Sequence, residues 1–141
     1  MNVEIPITLI SIENDGFHLM IKAKINGKSI NMLIDTGASR TVFDINRMKN
    51  IINFEKLEKN ERMSAGLGTN TMESQVAIID KMVFSKIKIK NYNAVFIDMS
   101  HVNKMYESIH LPLIDGVLGS DLLLEMNAVI NYKKKVLKLV F

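Results

Sequence analysis

The sequence predicts a mostly β fold with two or three short helices, and three observations carry that prediction. Residues 17–25, FHLMIKAKI, alternate with the two-residue period of a strand, placing Leu19, Ile21, Ala23 and Ile25 on one face and His18, Met20, Lys22 and Lys24 on the other. Asn26-Gly27 follows at once, the dipeptide favoured by two-residue hairpins because both central positions need positive φ, and a second extended run, KSINMLID, returns. Helical spacing, by contrast, occurs only in brief runs. With 141 residues and 48% hydrophobic content, residues 1–141 suit one compact domain and are too few for two comfortable ones.

Beyond the hairpin, DINRMKNII (44–52) offers Asp44 as an N-cap and Ile45, Met48 and Ile52 at helical spacing, which predicts a short helix. FEKLEKNER is charged and reads as a surface connection. In MSAGLGTNTMESQVAIID (63–80), Gly66 and Gly68 lie between extended flanks, the pattern of a hairpin with a glycine tip. KMVFSKIKIK, a turn at Asn91 to Asn93, and AVFID are again strand-like. HVNKMYESIHL (101–111) has Val102, Met105 and Ile109 at helical spacing and is stopped by Pro112. LIDGVLGSDLLLEM passes from an apolar strand through Gly119 into another short helix, with Ser120 or Asp121 expected to cap it. AVINY, three lysines and VLKLVF end the chain as an antiparallel hairpin.

An internal echo links IKAKINGKSINMLIDTGAS (21–39) to KIKIKNYNAVFIDMS (86–100) through a hairpin and an Ile-Asp ending, predicting two similar halves. The second copy has Asp98-Met99-Ser100 where the first has Asp35-Thr36-Gly37, and it lacks the glycine that lets backbone approach a reacting centre. Asp98 is therefore expected as a strand-end or cap residue.

Composition removes several function classes. The net charge is +3, and the lysines are scattered over alternating segments such as KIKIK and YKKKVLKL, as on solvated strand faces. No aromatic-basic interleaving marks a nucleic-acid interface. Without cysteine there is no disulfide, thiolate metal site or cysteine nucleophile, which fits a reducing, cytoplasmic setting; export with a removed signal stays open. His18, His101 and His110 lack metal-ligand spacing, and the ten dispersed methionines read as core filling, so neither a metal nor an organic cofactor is expected. Neither Ser39 nor Ser120 sits in a nucleophile elbow, and GLGTN lacks the Lys-Ser/Thr of a phosphate loop. No apolar run reaches the roughly 18 residues of a spanning helix.

What remains is NMLIDTGASRTVF (31–43), where an apolar run carries Asp35 into a Thr-Gly turn. A carboxylate in such surroundings is usually repositioned, paired, or kept for chemistry. LIDTGAS at the end of a hairpin, a glycine hairpin downstream, and VLGSDLL leading into a helix together resemble the retropepsin-like aspartic proteases over nearly the whole chain. In length and in its LIDG-VLGSDLL-NAVINYKKK-VLKL ending, the chain looks closer to the single-domain aspartyl proteases of bacteria than to viral ones.

The resemblance implies a closed β barrel forming one lobe per chain, and a homodimer in which Asp35 of each protomer supplies half of an acid-base pair acting on an extended polypeptide. It also implies that Thr36 braces the loop across the dimer axis, that Gly37 admits substrate backbone, and that Ala38 and Ser39 border the groove. Gly66, Leu67, Gly68 and Thr69 would form the tip of a flap, or else an ordinary glycine hairpin. Val117, Leu118 and Gly119 would support the catalytic loop as core. Residues 99–113 lengthen the segment before VLG, and Arg40-Thr41 differs from the compact viral members. Asp115, in LIDG, is a rival second carboxylate within one protomer, although Gly116 most simply makes it a turn residue. A catalytically silent peptide-binding or dimerisation module is the alternative to an endopeptidase.

Overall fold

The computed structural model describes residues 1–53 and 74–141, together with the backbone of residues 58–60. In chain order its first half contains β1 (Asn2–Pro6), β2 (Thr8–Ser11), β3 (Phe17–Ile25), β4 (Lys28–Ile34), β5 (Val42–Asp44), α1 (Ile45–Met48) and β6 (Glu58–Asn60). The second half contains β7 (Ser74–Phe84), β8 (Ile87–Ile97), α2 (Ser100–Ser108), β9 (Gly116–Leu118), α3 (Ser120–Glu125), β10 (Val129–Asn131) and β11 (Val136–Val140).

Asn26 (φ 49°) and Gly27 (φ 83°) turn β3 into β4, as the hairpin signal predicts. Six strands then run β3-β4-β9-β5-β8-β7, and β7 returns to β3 through Lys24↔Val83 and Ile25↔Met82, so the sheet closes into a barrel. Two of its contacts are parallel, β4 with β9 and β5 with β8. β2 and β6 extend the sheet outside the closed ring, and β1, β11 and β10 make a separate three-stranded antiparallel sheet.

The inward positions of the barrel, among them Ile25, Met32, Phe43, Met82, Phe84, Phe96 and Leu118, have no exposed surface. Val3, Ile5, Leu137 and Leu139 of the terminal sheet join the same cluster, so burial of apolar area holds sheet and barrel together. A second cluster, with Ile10, Met20, Met99, Tyr106 and Ile114, lies where α2 and its following segment pack on the chain. This explains why Met20 is buried although simple alternation put it on the polar face: α2 covers that face at the start of β3. Among the described residues no helix is long and apolar enough to cross a membrane.

Several local expectations change. β8 runs through Asn91–Asn93 without a hairpin, and the β7–β8 turn falls instead at Ser85-Lys86, with Ser85 at φ 57°. Asn91 has a positive φ of 54° inside the strand, so its turn-like chemistry is used as a local irregularity. The hairpin that the internal echo predicts within 86–100 is therefore absent, since residues 87–97 form the single strand β8; the hairpin of the later half is β7–β8. Within the charged segment 54–62, Glu58–Asn60 pairs with β7 as strand β6. Asp44 caps α1, accepting from the N–H groups of Asn46 and Arg47, yet the helix is a single turn. In α2 the buried residues are Asn103 and Tyr106, while Met105 is 42% exposed, so the helix is rotated from the face its aliphatic residues predict.

Candidate active site

β4 and β9 deliver the Asp35 loop. Their parallel register pairs Met32 with Gly116, Leu33 with Val117 and Ile34 with Leu118. The Asp35 N–H continues the ladder by donating to the Leu118 carbonyl at 3.0 Å. There the chain turns: the Ala38 N–H donates to the Asp35 carbonyl at 3.1 Å, and the Gly37 N–H donates to Asp35 Oδ1 at 3.0 Å. A side chain bonded to backbone two residues on is the aspartate-type turn that Asp forms readily. A Cβ at residue 37 would lie 3.3 Å from that same Oδ1, so glycine leaves room for the bond.

The far side of the loop is clamped from β9 and α3. The Ser120 N–H donates to the Ala38 carbonyl at 2.8 Å. Thr41, 1% exposed, uses its hydroxyl twice, accepting from the Gly119 N–H at 3.0 Å and donating to Asp121 Oδ1 at 2.8 Å. Its backbone N–H donates to the same carboxylate oxygen at 2.9 Å. Gly119 is demanded by proximity, since a Cβ there would meet the Arg40 carbonyl carbon at 2.6 Å and the Ala38 oxygen at 2.9 Å. Leu118 is fully buried beneath the loop and Val117 partly buried. No side chain caps α3; Asp121, expected as a possible cap, instead ties the helix to Thr41.

The result is a rigid loop that presents an accessible acid. Asp35, Thr36, Gly37 and Ser39 are exposed and Ala38 is half-buried. Asp35 Oδ2, unlike Oδ1, has no partner among the described residues. Beside it lies a cavity of about 300 Å³ bordered by Asp35 and Thr36 and walled by β3, β4, Ile130 and Tyr132. The expected flap tip, Gly66, Leu67, Gly68 and Thr69, lies outside the described residues.

Asp115 is placed elsewhere. It is 6% exposed, ion-paired to the Arg47 Nε at 2.7 Å, and accepts the Asn31 N–H at 2.8 Å. Since Gly116 is in register with Met32, Asp115 stands beside Asn31, four residues before Asp35 and about 13 Å away at the usual strand rise. It is therefore a buried structural carboxylate rather than the turn residue that Gly116 promised. Asp98, at the end of β8, accepts the Ser100 N–H at 2.9 Å and a bond from Asn46 at 2.9 Å. The bonds from Ser100 and Asn46 hold its pKa below the usual carboxylate value. That is the strand-end cap the sequence predicts.

The Thr41–Asp121 contact and the Arg47–Asp115 pair leave no trace in the local sequence. Thr41 and Asp121 are 80 positions apart, and nothing local to either marks the other.

The model of the aspartyl protease family matches residues 21–122, from β3 through the Asp35 loop to α3. The chain belongs to the aspartyl protease family. A crystal structure of a retropepsin-like aspartic protease from Rickettsia conorii covers 99% of this chain and 90% of its own, with a TM-score of 0.60 and 22% identity. The retroviral protease-like domain of Ddi1 from Leishmania major covers 86% of this chain and 87% of its own, with a TM-score of 0.59 and 15% identity. At those identities the likeness is one of fold, and the fold of this aspartyl protease family member is retropepsin-like. No curated protein matches the chain by sequence.

Proposed function

We propose that residues 1–141 form a single domain that acts as an aspartic endopeptidase on an extended polypeptide, as a homodimer with one Asp35 from each protomer. The observation that carries the reading is the state of Asp35: one carboxylate oxygen fixed by its own loop, the other without a partner among the described residues, on an exposed and clamped turn beside a cavity. Amide hydrolysis by water needs a base and an acid. One carboxylate takes a proton from water as the oxygen attacks the carbonyl carbon, and a carboxylic acid protonates the carbonyl oxygen; the leaving amine is then protonated as the C–N bond breaks. Two carboxyls about 3 Å apart share one proton, which supplies both forms at once.

A second chain would supply the partner acid, since among the described residues the neighbouring carboxylates are committed elsewhere, Asp115 to Arg47 and Asp121 to Thr41. Among the described residues β10 has an unpaired edge, and that edge is the favoured seam. The other edge of that sheet, β1, carries Glu4 and Pro6, which discourage strand addition, whereas β10 offers Val129, Ile130 and Asn131 with no charge or proline. Ile130 also borders the cavity that Asp35 borders, so pairing across β10 would bring two Asp35 loops toward one axis.

The test compares wild type with Asp35→Asn on a mixed peptide library from about pH 4 to about pH 8, with sedimentation run in parallel. Cleavage by the wild-type dimer and its loss of at least 1,000-fold in the variant is expected, on the order of other losses of a catalytic acid-base group. Equal cleavage by both proteins, or cleavage by a strict monomer, would reject the shared pair. Binding without cleavage by wild type would favour the silent module.

A further inference from the structure

His18 and Tyr106 form a pair for which the acid-base chemistry has no use. Tyr106 is fully buried on α2, and its hydroxyl meets Nδ1 of His18 while the two rings stack with centroids 5.8 Å apart. Burial pushes the phenol up to about 12, so it keeps its proton through the neutral range. Among the described residues Nδ1 is the only polar partner of this buried hydroxyl; donation from an Nδ1–H would leave the phenol O–H with no acceptor there, so the favoured tautomer is the one in which the phenol donates and the imidazole accepts. A neutral imidazole that accepts at Nδ1 carries its hydrogen on Nε2. Nε2 itself has no partner among the described residues.

His18 lines the cavity of about 300 Å³ that Asp35 and Thr36 border. On the wall that β3 and β4 supply, its neighbours are apolar, with Leu19 buried, Leu33 half-buried and Phe17, 62% exposed, at the rim; Thr36 and Tyr132 lie on the other sides of the cavity. On that β3–β4 wall the polar side chain that could distinguish one peptide side chain from another is thus the imidazole.

We propose that His18, set by Tyr106, is a specificity-determining residue of the Asp35 cleft, its Nε2–H selecting a peptide side chain with an apolar stem and an oxygen acceptor, as in Gln or Glu. The proposal rests on reading the cleft as a peptide site. A Leu or Met side chain of similar length would strip water from the Nε2–H and return no hydrogen bond, whereas an amide or carboxylate oxygen replaces the lost water. Tyr106 is the positioning residue: it fixes both the tautomer and the plane of the ring, so the donor points one way before substrate arrives. The segment that lengthens the chain before β9 would then have a purpose at the cleft, since α2 supplies the phenol.

Two assays on the full chain test this. Cleavage sites are mapped by mass spectrometry on proteome-derived peptides for wild type, His18→Phe and Tyr106→Phe. Independently of turnover, Asp35→Asn protein, with and without His18→Phe, is bound to peptide arrays scanned with Gln and with Leu. Wild type is expected to favour Gln or Glu over Leu and Met at one position by about five-fold, the discrimination of a single hydrogen bond. His18→Phe should bring that ratio to about one, and Tyr106→Phe should lower it part-way, whereas a merely structural role would lower all peptides alike. The proposal is overturned if no position discriminates, if the ratio survives His18→Phe, or if His18→Phe only weakens the dimer and slows every peptide equally. Gln selectivity on the arrays that depends on His18, without cleavage by wild type, would uphold the subsite and remove the endopeptidase reading.

Discussion

Asp35 and Thr41 play opposite parts at the two ends of one loop: the first is held so that it stays accessible, the second is buried so that the loop keeps its shape. Thr41 satisfies the buried Gly119 N–H and at the same time engages Asp121, so one hydroxyl joins the loop, β9 and α3. Replacing it by the nearly isosteric valine keeps the volume and removes both bonds, leaving a buried donor with no acceptor. Thr41→Val is expected to cost about 2 kcal/mol in urea unfolding, and Thr41→Ser to recover most of it. An unchanged midpoint in the valine variant would mean that water replaces the hydroxyl and that the clamp is weaker than its geometry implies. The Asp35 turn was legible in the sequence because its setting is written locally, in an apolar run meeting Thr-Gly. Thr41 was illegible because its role depends on partners 78 and 80 positions away.

At the level of elements, α1 is too short to be held by its own hydrogen bonds, since a single turn fixes more dihedrals than it gains bonds. Its cap, Asp44, also accepts the Met99 N–H at 2.9 Å, and its Arg47 reaches Asp115, which in turn bonds β4 at Asn31. The two side chains of the ion pair are unequally exposed, 36% at Arg47 and 9% at Asp115. Removing the arginine leaves a charge in a buried place, whereas removing the acid leaves an arginine that water can reach. Arg47→Met is therefore expected to cost about 2–3 kcal/mol and Asp115→Asn about 1 kcal/mol, with a coupling of at least about 1 kcal/mol in the double-mutant cycle. A coupling near zero would make the pair incidental to the packing of α1. The same distinction between local and distant causes explains which elements were legible. The β3–β4 hairpin carries its own turn dipeptide, and the expected strand appears. β8 carries Asn91 and Asn93, which look like a turn, yet long antiparallel pairing with β7 overrides them. The rotation of α2 was hidden because Tyr106 is buried for its reach to His18, a partner 88 positions away, rather than for its place among aliphatic residues.

For the whole molecule, barrel closure pairs the stretches of β3 and β7 that an open sheet would leave exposed, while β2, β6 and the small terminal sheet keep outer edges among the described residues. Retropepsin-like fold and mostly β content were both within reach of the sequence, since hairpin signals and the Asp-Thr-Gly setting are local. The choice between the two edges of the terminal sheet was not, because it depends on the order β1-β11-β10. Val129 opens β10, is 55% exposed, and stands opposite Lys138 of β11. Val129→Glu should leave the fold intact, since the new carboxylate faces that lysine, while two such carboxylates brought together across a two-fold axis would repel. The expected outcome is a shift from dimer to monomer in sedimentation, an unchanged circular dichroism spectrum, and loss of cleavage that is partly restored at high protein concentration. Recovery with concentration is the decisive feature: a damaged active site would stay slow at any concentration, whereas a weakened seam yields to mass action. A variant that remains dimeric and cleaves as wild type does would place the seam elsewhere than β10.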